Sequence, residues 1–286
     1  MKAASWMVGL GLVAAALGVG AEEAVTLKYR FSPGQVLRYE GTQVMKGEST
    51  VAGMKHDFRA STGWLREWRV LSVDEKGNVR LSLSILRARV ETITPDGSKI
   101  TFDTEKEDAN NPLRSVVGRP LVEVVLSQNG QILDFGQPQA SGAGHFLALL
   151  RTQLYALPVE AVAAGAGWQN DIPLPLPAPL GKEGEAIRIR QSFRLEKVAD
   201  SVATINFASG PAEEIKDRAR LAAIAQFLPS GKLELDMTRG VLRRIELTLD
   251  QTVSEFAGTD SQMHVTGTYR EVLQDDVAGN PAGRKK

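Results

Sequence analysis

The feature that most constrains the fold is an alternation of apolar and polar residues that returns along most of the chain. It is clearest over residues 79–85, 233–237 and 245–249, where every second side chain is apolar. Because successive side chains of a strand point to opposite faces of a sheet, this period predicts strands with one face in a core and the other in water. The sequence therefore predicts a mainly β protein.

Turn residues separate the alternating runs. Gly and Asn adopt the positive φ angles that tight reversals require, so their clusters predict hairpins. The sharpest hairpin joins residues 121–126 to residues 132–135 through Asn129 and Gly130. We expect antiparallel, curved sheets in a half-barrel or open barrel-like arrangement. The predicted turns are Glu75–Asn78, Pro95–Gly97, Gln128–Gly130, Pro229–Gly231 and Thr238–Gly240.

A helical period interrupts the strands over residues 145–155, where apolar residues recur at spacings of three and four. This spacing predicts an amphipathic helix, with Ser141 as a cap before it and Pro158 closing it. Residues 213–226 predict a second helix, although residues 221–227 also alternate as a strand would. One or two helices are thus expected to cover the sheet. The inner stripe of the first helix consists of Phe146, Leu149, Leu150 and Leu154.

The two halves of the chain resemble each other. Residues 68–74 and 79–83 resemble residues 193–199 and 202–207, and residues 95–103 resemble residues 229–236, in the same order. Upstream, Pro33–Tyr39 pairs with Gly165–Trp168. Two duplicated halves explain this pattern; the alternative is that hairpin-rich segments share the same turn residues.

This pattern divides the chain into five predicted parts. A Pro-rich run over residues 172–179 cannot donate to a central ladder, so we expect an edge strand or an extended connector there. The parts are a signal peptide over 1–21, a first β half over 22–140, a helix and connector over 141–160, a second β half over 161–274 and a flexible tail over 275–286.

The first residues carry an export signal. Lys2 precedes an uncharged run from Trp6 to Val19, and small residues come before Glu22, so we expect cleavage after Ala21. A membrane anchor is the alternative, but the run is shorter than the roughly 20 residues that span a bilayer. The chain has no Cys, which excludes disulfides and attachment of lipid through a thiol. We expect an exported protein, periplasmic or extracellular, without stable transmembrane anchoring.

Charge and motifs restrict the function. Lys and Arg total 34, as do Asp and Glu, and this balance argues against nucleic acid as a partner. The sequence lacks a Cys nucleophile, a Gly-x-Ser-x-Gly elbow, a His-Glu-x-x-His pair and a Gly-rich phosphate loop. Its histidines, His56, His145 and His264, are too dispersed for a metal site. We therefore expect no enzyme activity, no metal and no cofactor, although a site assembled from distant residues would leave no such pattern.

Three segments resemble a known group of proteins. Tyr29–Tyr39, Leu157–Pro158 with Gly165–Trp168, and residues 231–236 resemble an uncharacterised family of exported bacterial β-rich proteins. That family has no established activity, so the resemblance implies no catalytic residues. The strand-rich build is also similar in outline to lipoprotein-carrier half-barrel proteins, in which a curved sheet and helices enclose an apolar cavity.

By elimination, a binding role is the leading hypothesis. An apolar or lipid-like ligand would enter between the sheet and the helix at 145–155, since ligand pockets are mostly apolar. The simpler interpretation is a core helix that covers a sheet. An alternative function is an envelope scaffold or protein-interaction module that recruits an envelope protein through exposed sheet edges. The expected ligand contacts are Phe146, Leu149, Leu150 and Leu154, whereas Trp68, Trp168 and Phe193 are expected to be buried strand residues.

Overall fold

The computed structural model describes residues 23–106, 111–137, 148, 150–176, 180–182 and 185–274. The predicted signal peptide and the predicted tail lie outside these ranges.

The described residues form twelve strands in one antiparallel sheet. The strand order is β6-β5-β3-β2-β1-β12-β11-β10-β9-β8-β7, and β4 pairs with β3 beside β5. Because β6 and β7 lie at opposite edges, the sheet stays open. The prediction of a mainly β, open antiparallel architecture is confirmed. The strands are β1 Val36–Val51, β2 Met54–Val73, β3 Val79–Ile93, β4 Lys99–Asp103, β5 Pro120–Leu126, β6 Ile132–Phe135, β7 Gly167–Pro175, β8 Ala186–Ala199, β9 Val202–Pro211, β10 Ser230–Asp236, β11 Val241–Ser254 and β12 Gln262–Leu273.

Most of the predicted hairpins are present, including the one that joins β5 to β6. The predicted turn at Pro229–Gly231 is wrong, because Ser230 and Gly231 already belong to β10. Gly231 pairs with Leu247 on β11, and a Cβ at this position would collide with the backbone oxygen of Glu246. The glycine therefore permits a close strand approach, and turn geometry does not explain it.

The described part of the Pro-rich run forms the edge of the sheet, as one of the two alternatives predicted. Pro173 and Pro175 lie in β7, which pairs with β8 and ends the strand order. An edge position tolerates proline because the outward side of the strand has no ladder to complete.

Short helical segments cover part of the sheet. We name α1 the helix Arg218–Ile224, which a 3₁₀ turn, Ala225–Phe227, extends. The side chain of Asp217 caps α1 by accepting hydrogen bonds from the amides of Ala219 and Arg220. The second predicted helix is thus present but begins later than residue 213.

The first predicted helix ends earlier than expected. Helical residues are described at 148 and 150–152, and the chain leaves the helix at Gln153. From Tyr155 onward, the backbone bonds to other parts of the protein: the amide of Leu157 donates to the carbonyl of Asn129 over 2.7 Å. We name residues 150–157 the strap, because they cross one face of the sheet.

One face of the sheet carries the core. Leu150 and Leu154 of the strap pack against strands of the first half, whereas Tyr155 and Leu157 pack against strands of the second half. Leu27 of the N-terminal segment joins this second group and is fully buried. The 3₁₀ turn after α1 buries Phe227 against β7 and β8. We call this covered side the inner face.

The two halves share local details that hairpin geometry alone does not require. The β2–β3 pairing shifts register between Val70 and Ser72, and the β8–β9 pairing shifts between Leu195 and Lys197. Val70 and Leu195 are equivalent residues in the sequence comparison. Each exchanges backbone hydrogen bonds with a Gly-led segment, Gly34-Gln35 for Val70 and Gly165-Ala166 for Leu195. These equivalences favour duplication, while the proposed domain boundaries stay predictions.

Candidate ligand-binding site

The strap is attached to the rest of the protein mainly by side chains. The indole of Trp168 donates to the carbonyl of Ala156 over 2.8 Å, and the hydroxyl of Tyr29 donates to the carbonyl of Tyr155 over 2.8 Å. The amide of Gln191 donates to the carbonyl of Thr152 over 3.0 Å. The strap therefore lies over the inner face without joining its ladder.

A buried polar cluster lies beneath the strap, where β2 and β12 face it. Arg66 forms an ion pair with Glu271, and both side chains are almost fully buried. Glu271 also accepts hydrogen bonds from the indole of Trp64 over 3.1 Å and from the hydroxyl of Tyr269 over 3.1 Å. Arg66 donates to the side-chain oxygen of Gln153 over 3.1 Å, which links the cluster to the strap.

Gly41 of β1 makes room for this cluster. It pairs with Trp64 on one side and Glu271 on the other. A Cβ at Gly41 would overlap the indole ring of Trp64, so the missing side chain lets the ring lie across the strand. This contact places the indole nitrogen of Trp64 within reach of Glu271.

Burial sets the charge state of the cluster. Desolvation alone would lower the pKa of Arg66, but the neighbouring charge of Glu271 raises it above its ordinary value. Desolvation raises the pKa of Tyr39, Tyr155 and Tyr269. The three phenols therefore stay protonated near neutral pH and can donate hydrogen bonds.

A cavity with about 70 Å³ of free space adjoins the cluster. Two polar atoms of its lining residues, Nε of Arg66 and the hydroxyl oxygen of Tyr155, are buried without a hydrogen-bond partner. Native proteins seldom leave such atoms unpaired, so each requires an explanation. The lining also includes Tyr29, Phe31, Leu37, Tyr39, Trp68, Leu81, Leu126, Gln153, Leu154, Val241, Leu242, Ile245 and Glu271.

The structure separates the four residues that the sequence suggested as ligand contacts. Leu154 lines the cavity, whereas Leu150 is buried in the same apolar cluster but is not among the lining residues. Phe146 and Leu149 lie outside the described residues. Contact of any of the four with a ligand stays a prediction.

The other aromatic residues and the histidines singled out in the sequence differ in burial. Trp68 and Phe193 are buried strand residues, as expected. The expectation of a buried Trp168 is wrong, because this residue lies on the edge strand β7 and is only partly buried; its ring stacks on Phe193 with centroids 5.3 Å apart. His56 is exposed and His264 bonds to Asp250, while His145 lies outside the described residues.

Sequence reasoning missed the polar cluster itself. Trp64, Arg66 and Trp68 occupy alternate positions of one strand, so they share a face. A charged residue between two Trp residues on one face is a signal of a buried arginine. On β12, Tyr269 and Glu271 likewise place an aromatic and a charged residue at alternate positions.

The part of the chain that the structure describes offers no group of three His, Asp or Glu residues suited to a metal ion. Within the same ranges, no helix is both long enough and apolar enough to cross a membrane.

An open, curved antiparallel sheet with a covered inner face defines the structural class of this protein. It is similar to a solved structure of lipovitellin, described for its lipid–protein interactions, with a TM-score of 0.50 and 12% identity. The match covers 86% of this chain and 26% of the lipovitellin chain, so this protein spans about a quarter of that molecule. At this identity, the likeness shows the fold alone.

Two further structural matches are weaker. A DUF1329 family protein from Desulfovibrio piger is 8% identical over 87% of this chain and 89% of that one, with a TM-score of 0.16. MucB in complex with MucA is 9% identical over 82% of this chain and 89% of that one, with a TM-score of 0.14. No protein-family model and no curated protein matches the sequence.

Proposed function

We propose that this protein binds an apolar or lipid-like ligand between the inner face of the sheet and the strap. The observation that carries this proposal is the cavity beneath the strap, which joins an apolar lining to two unpaired buried polar atoms. Ligand sites combine these features, because apolar walls supply affinity and a few polar groups set orientation. The lipovitellin-like fold supports the proposal as an analogy of architecture.

The proposed ligand requires the cavity to widen. Its free space of about 70 Å³ is well below the roughly 300–1,000 Å³ of sites for drug-sized ligands. Because side-chain hydrogen bonds hold the strap, parts of it can separate from the inner face without breaking strand pairing. Uptake is therefore proposed to displace Leu154, the strap residue whose apolar side chain lines the cavity.

The hydrogen bonds that Glu271 accepts favour a binding role over catalysis. Its carboxylate accepts hydrogen bonds from Trp64, Arg66 and Tyr269. A general base must be free to accept a proton from a substrate, and this carboxylate is occupied by permanent donors. We therefore propose a non-enzymatic role, in the cell envelope if the predicted signal peptide directs export.

The alternative, a scaffold that recruits a partner strand, is less well supported by the sheet edges. Pro173 and Pro175 remove two backbone donors from the edge strand β7. At the other side, β6 has only 4 residues and β4 only 5. Short or Pro-containing edges discourage strand addition.

Organic extraction of the purified protein, followed by mass spectrometry, tests the proposal. We expect lipid to be recovered from protein purified out of an expressing cell, or after incubation with phospholipid vesicles. The same protein denatured before incubation is the control for adsorption. Native protein that never carries more lipid than this control would contradict the proposed function and favour the scaffold.

A further inference from the structure

Two residues that line the cavity, Arg66 and Tyr155, each carry an unpaired buried polar atom, and these atoms restrict the chemistry of what enters it. Nε of Arg66 carries a hydrogen and can only donate, while the Tyr155 hydroxyl can donate or accept. Arg66 is 5% exposed and Tyr155 is 3% exposed, so bulk water does not satisfy either group. The shared complement of both is an oxygen atom that accepts hydrogen bonds.

The charges in the cavity lining further restrict the class of ligand. Among the described residues that line the cavity, the charged ones are Arg66 and Glu271, and they already form an ion pair. A ligand carboxylate or phosphate would add a second negative charge to this buried pair without a further cation lining the cavity. An isolated buried charge is costly, so an uncharged oxygen fits this site better than an anion.

The position of the cavity residues gives the ligand a direction. Arg66 bonds to both Gln153 and Glu271, so these three lining residues form one polar patch. The aliphatic side chains of Leu37, Leu81 and Leu126, which also line the cavity, offer the surface for a hydrocarbon chain. The free space suffices for a small polar group or a few water molecules, at roughly 10–15 Å³ of probe-occupied volume per water.

We propose that the cavity receives the neutral carbonyl oxygen of an acyl ester, with Arg66 Nε and the Tyr155 hydroxyl as its hydrogen-bond donors. The ligand class is an uncharged acyl lipid, such as an acylglycerol, and its chain continues along the apolar lining. This inference rests on the proposed function, because the chain fits only when the strap moves.

Three probes with similar chains separate the possibilities: monooleoylglycerol, oleate at pH 8 and octadecene. Wild-type protein should bind monooleoylglycerol more tightly than oleate by about tenfold or more, because only oleate brings a buried charge. Binding of each probe is measured by competition with a fluorescent acyl reporter.

The variant Tyr155→Phe removes one proposed donor and keeps the ring. We expect the affinity for monooleoylglycerol to fall about three- to tenfold, as for loss of one hydrogen bond, while octadecene binding stays unchanged. The unliganded variant should be at least as stable as wild type, because it no longer buries an unpaired hydroxyl.

Asn170→Ala is the control for loss of a hydrogen bond away from the cavity. The side chain of Asn170 donates to Gln191 over 3.3 Å and does not line the cavity, so its loss should lower stability and leave the preference among the probes intact. Two results would overturn this inference and leave the proposed function standing. One is that oleate binds as tightly as monooleoylglycerol; the other is that Tyr155→Phe binds monooleoylglycerol as tightly as wild type does. Failure of all three probes to bind would overturn the proposed function with it.

Discussion

Arg66 and Gln191 occupy equivalent positions in the two halves, and the comparison shows where the protein departs from its own repeat. Each lies four residues before the residue that bonds to a Gly-led segment, Val70 or Leu195. Both are buried on the inner face, and both donate to the strap, Arg66 to Gln153 and Gln191 to Thr152. One structural role, holding the strap, is therefore common to both halves.

The two side chains differ in how many of their polar atoms have hydrogen-bond partners. Gln191 is fully buried, donates to Thr152 and accepts from Asn170 over 3.3 Å. Arg66 instead needs the charge of Glu271 and still keeps Nε unpaired beside a cavity. A neutral side-chain amide is enough to attach the strap, as Gln191 does in the second half. The charged, incompletely satisfied version in the first half is the reason that we place the ligand site there.

The largest expected effect concerns the part of the strap that covers the first half. Leu150 is 1% exposed, so Leu150→Asp should destabilise the protein by about 4–5 kcal/mol or more, through lost packing and a buried carboxylate. Denaturant unfolding measures this effect.

A charge control for this change must come from an exposed site near the strap. Arg151→Asp is unsuitable, because the guanidinium lies 4.1 Å from the ring centroid of Phe135. Val159 is 78% exposed, so Val159→Asp should change stability by less than about 0.5 kcal/mol. Equal tolerance of Leu150→Asp and Val159→Asp would mean that the strap does not seal the core.

The next prediction tests the charged cluster against its neutral counterpart. Glu271→Gln leaves Arg66 buried without a counter-charge, and we expect a loss of about 3–5 kcal/mol. Asn170→Ala in the second half removes one neutral hydrogen bond to Gln191 and should cost about 1 kcal/mol. Similar unfolding free energies for the two variants would show that the difference in charge between the halves has no energetic consequence.

Substitutions at equivalent residues near the start of matching strands should differ less in their loss of stability. Leu37 and Trp168 begin matching strands and pair with Trp68 and Phe193. Trp168→Ala should cost about 3 kcal/mol, the low end for a buried Trp, because the ring is only partly covered. Leu37→Ala should cost a similar amount, since Leu37 is smaller but more buried. An unchanged midpoint for Trp168→Ala would mark this ring as an exposed binding surface.

The smallest expected effect tests the duplication itself. Gly34 has a φ of 82° and Gly165 a φ of 85°, a region that an L-residue enters at a cost of about 1–2 kcal/mol. Neither position has close neighbours that a methyl group would strike. Gly34→Ala and Gly165→Ala should therefore destabilise by the same amount, and unequal losses in thermal or denaturant unfolding would count against structural equivalence of the halves.

The sequence predicted this architecture where the information was local. Alternation identified strands such as β3 and β11, and Asn129-Gly130 identified the β5–β6 hairpin. The predicted helix end at residue 155 was too late, because attachment of the strap at Asn129 depends on a distant loop. The wrong turn at Pro229–Gly231 had a similar cause, since Gly231 serves the contact between β10 and β11.

The candidate site was less predictable for a related reason. Arg66 and Glu271 are 205 positions apart, and no local pattern joins them. The alternation of Trp64, Arg66 and Trp68 indicates a buried arginine, but the identity of its partner depends on the pairing of β1 with β12. The unpaired atoms and the cavity follow from side-chain packing, which periodicity does not report.

The central claim, that the inner face beneath the strap holds an acyl ligand in the first half, is tested most directly by photo-crosslinking. An acylglycerol with a diazirine near the chain end is bound to wild-type protein and activated, and the labelled peptides are identified by mass spectrometry. The account predicts labels on peptides that contain Phe31, Leu81 or Leu126, which line the cavity. Labels confined to second-half core residues such as Phe193 and Ile205, or labelling no greater than that of unfolded protein, would contradict it.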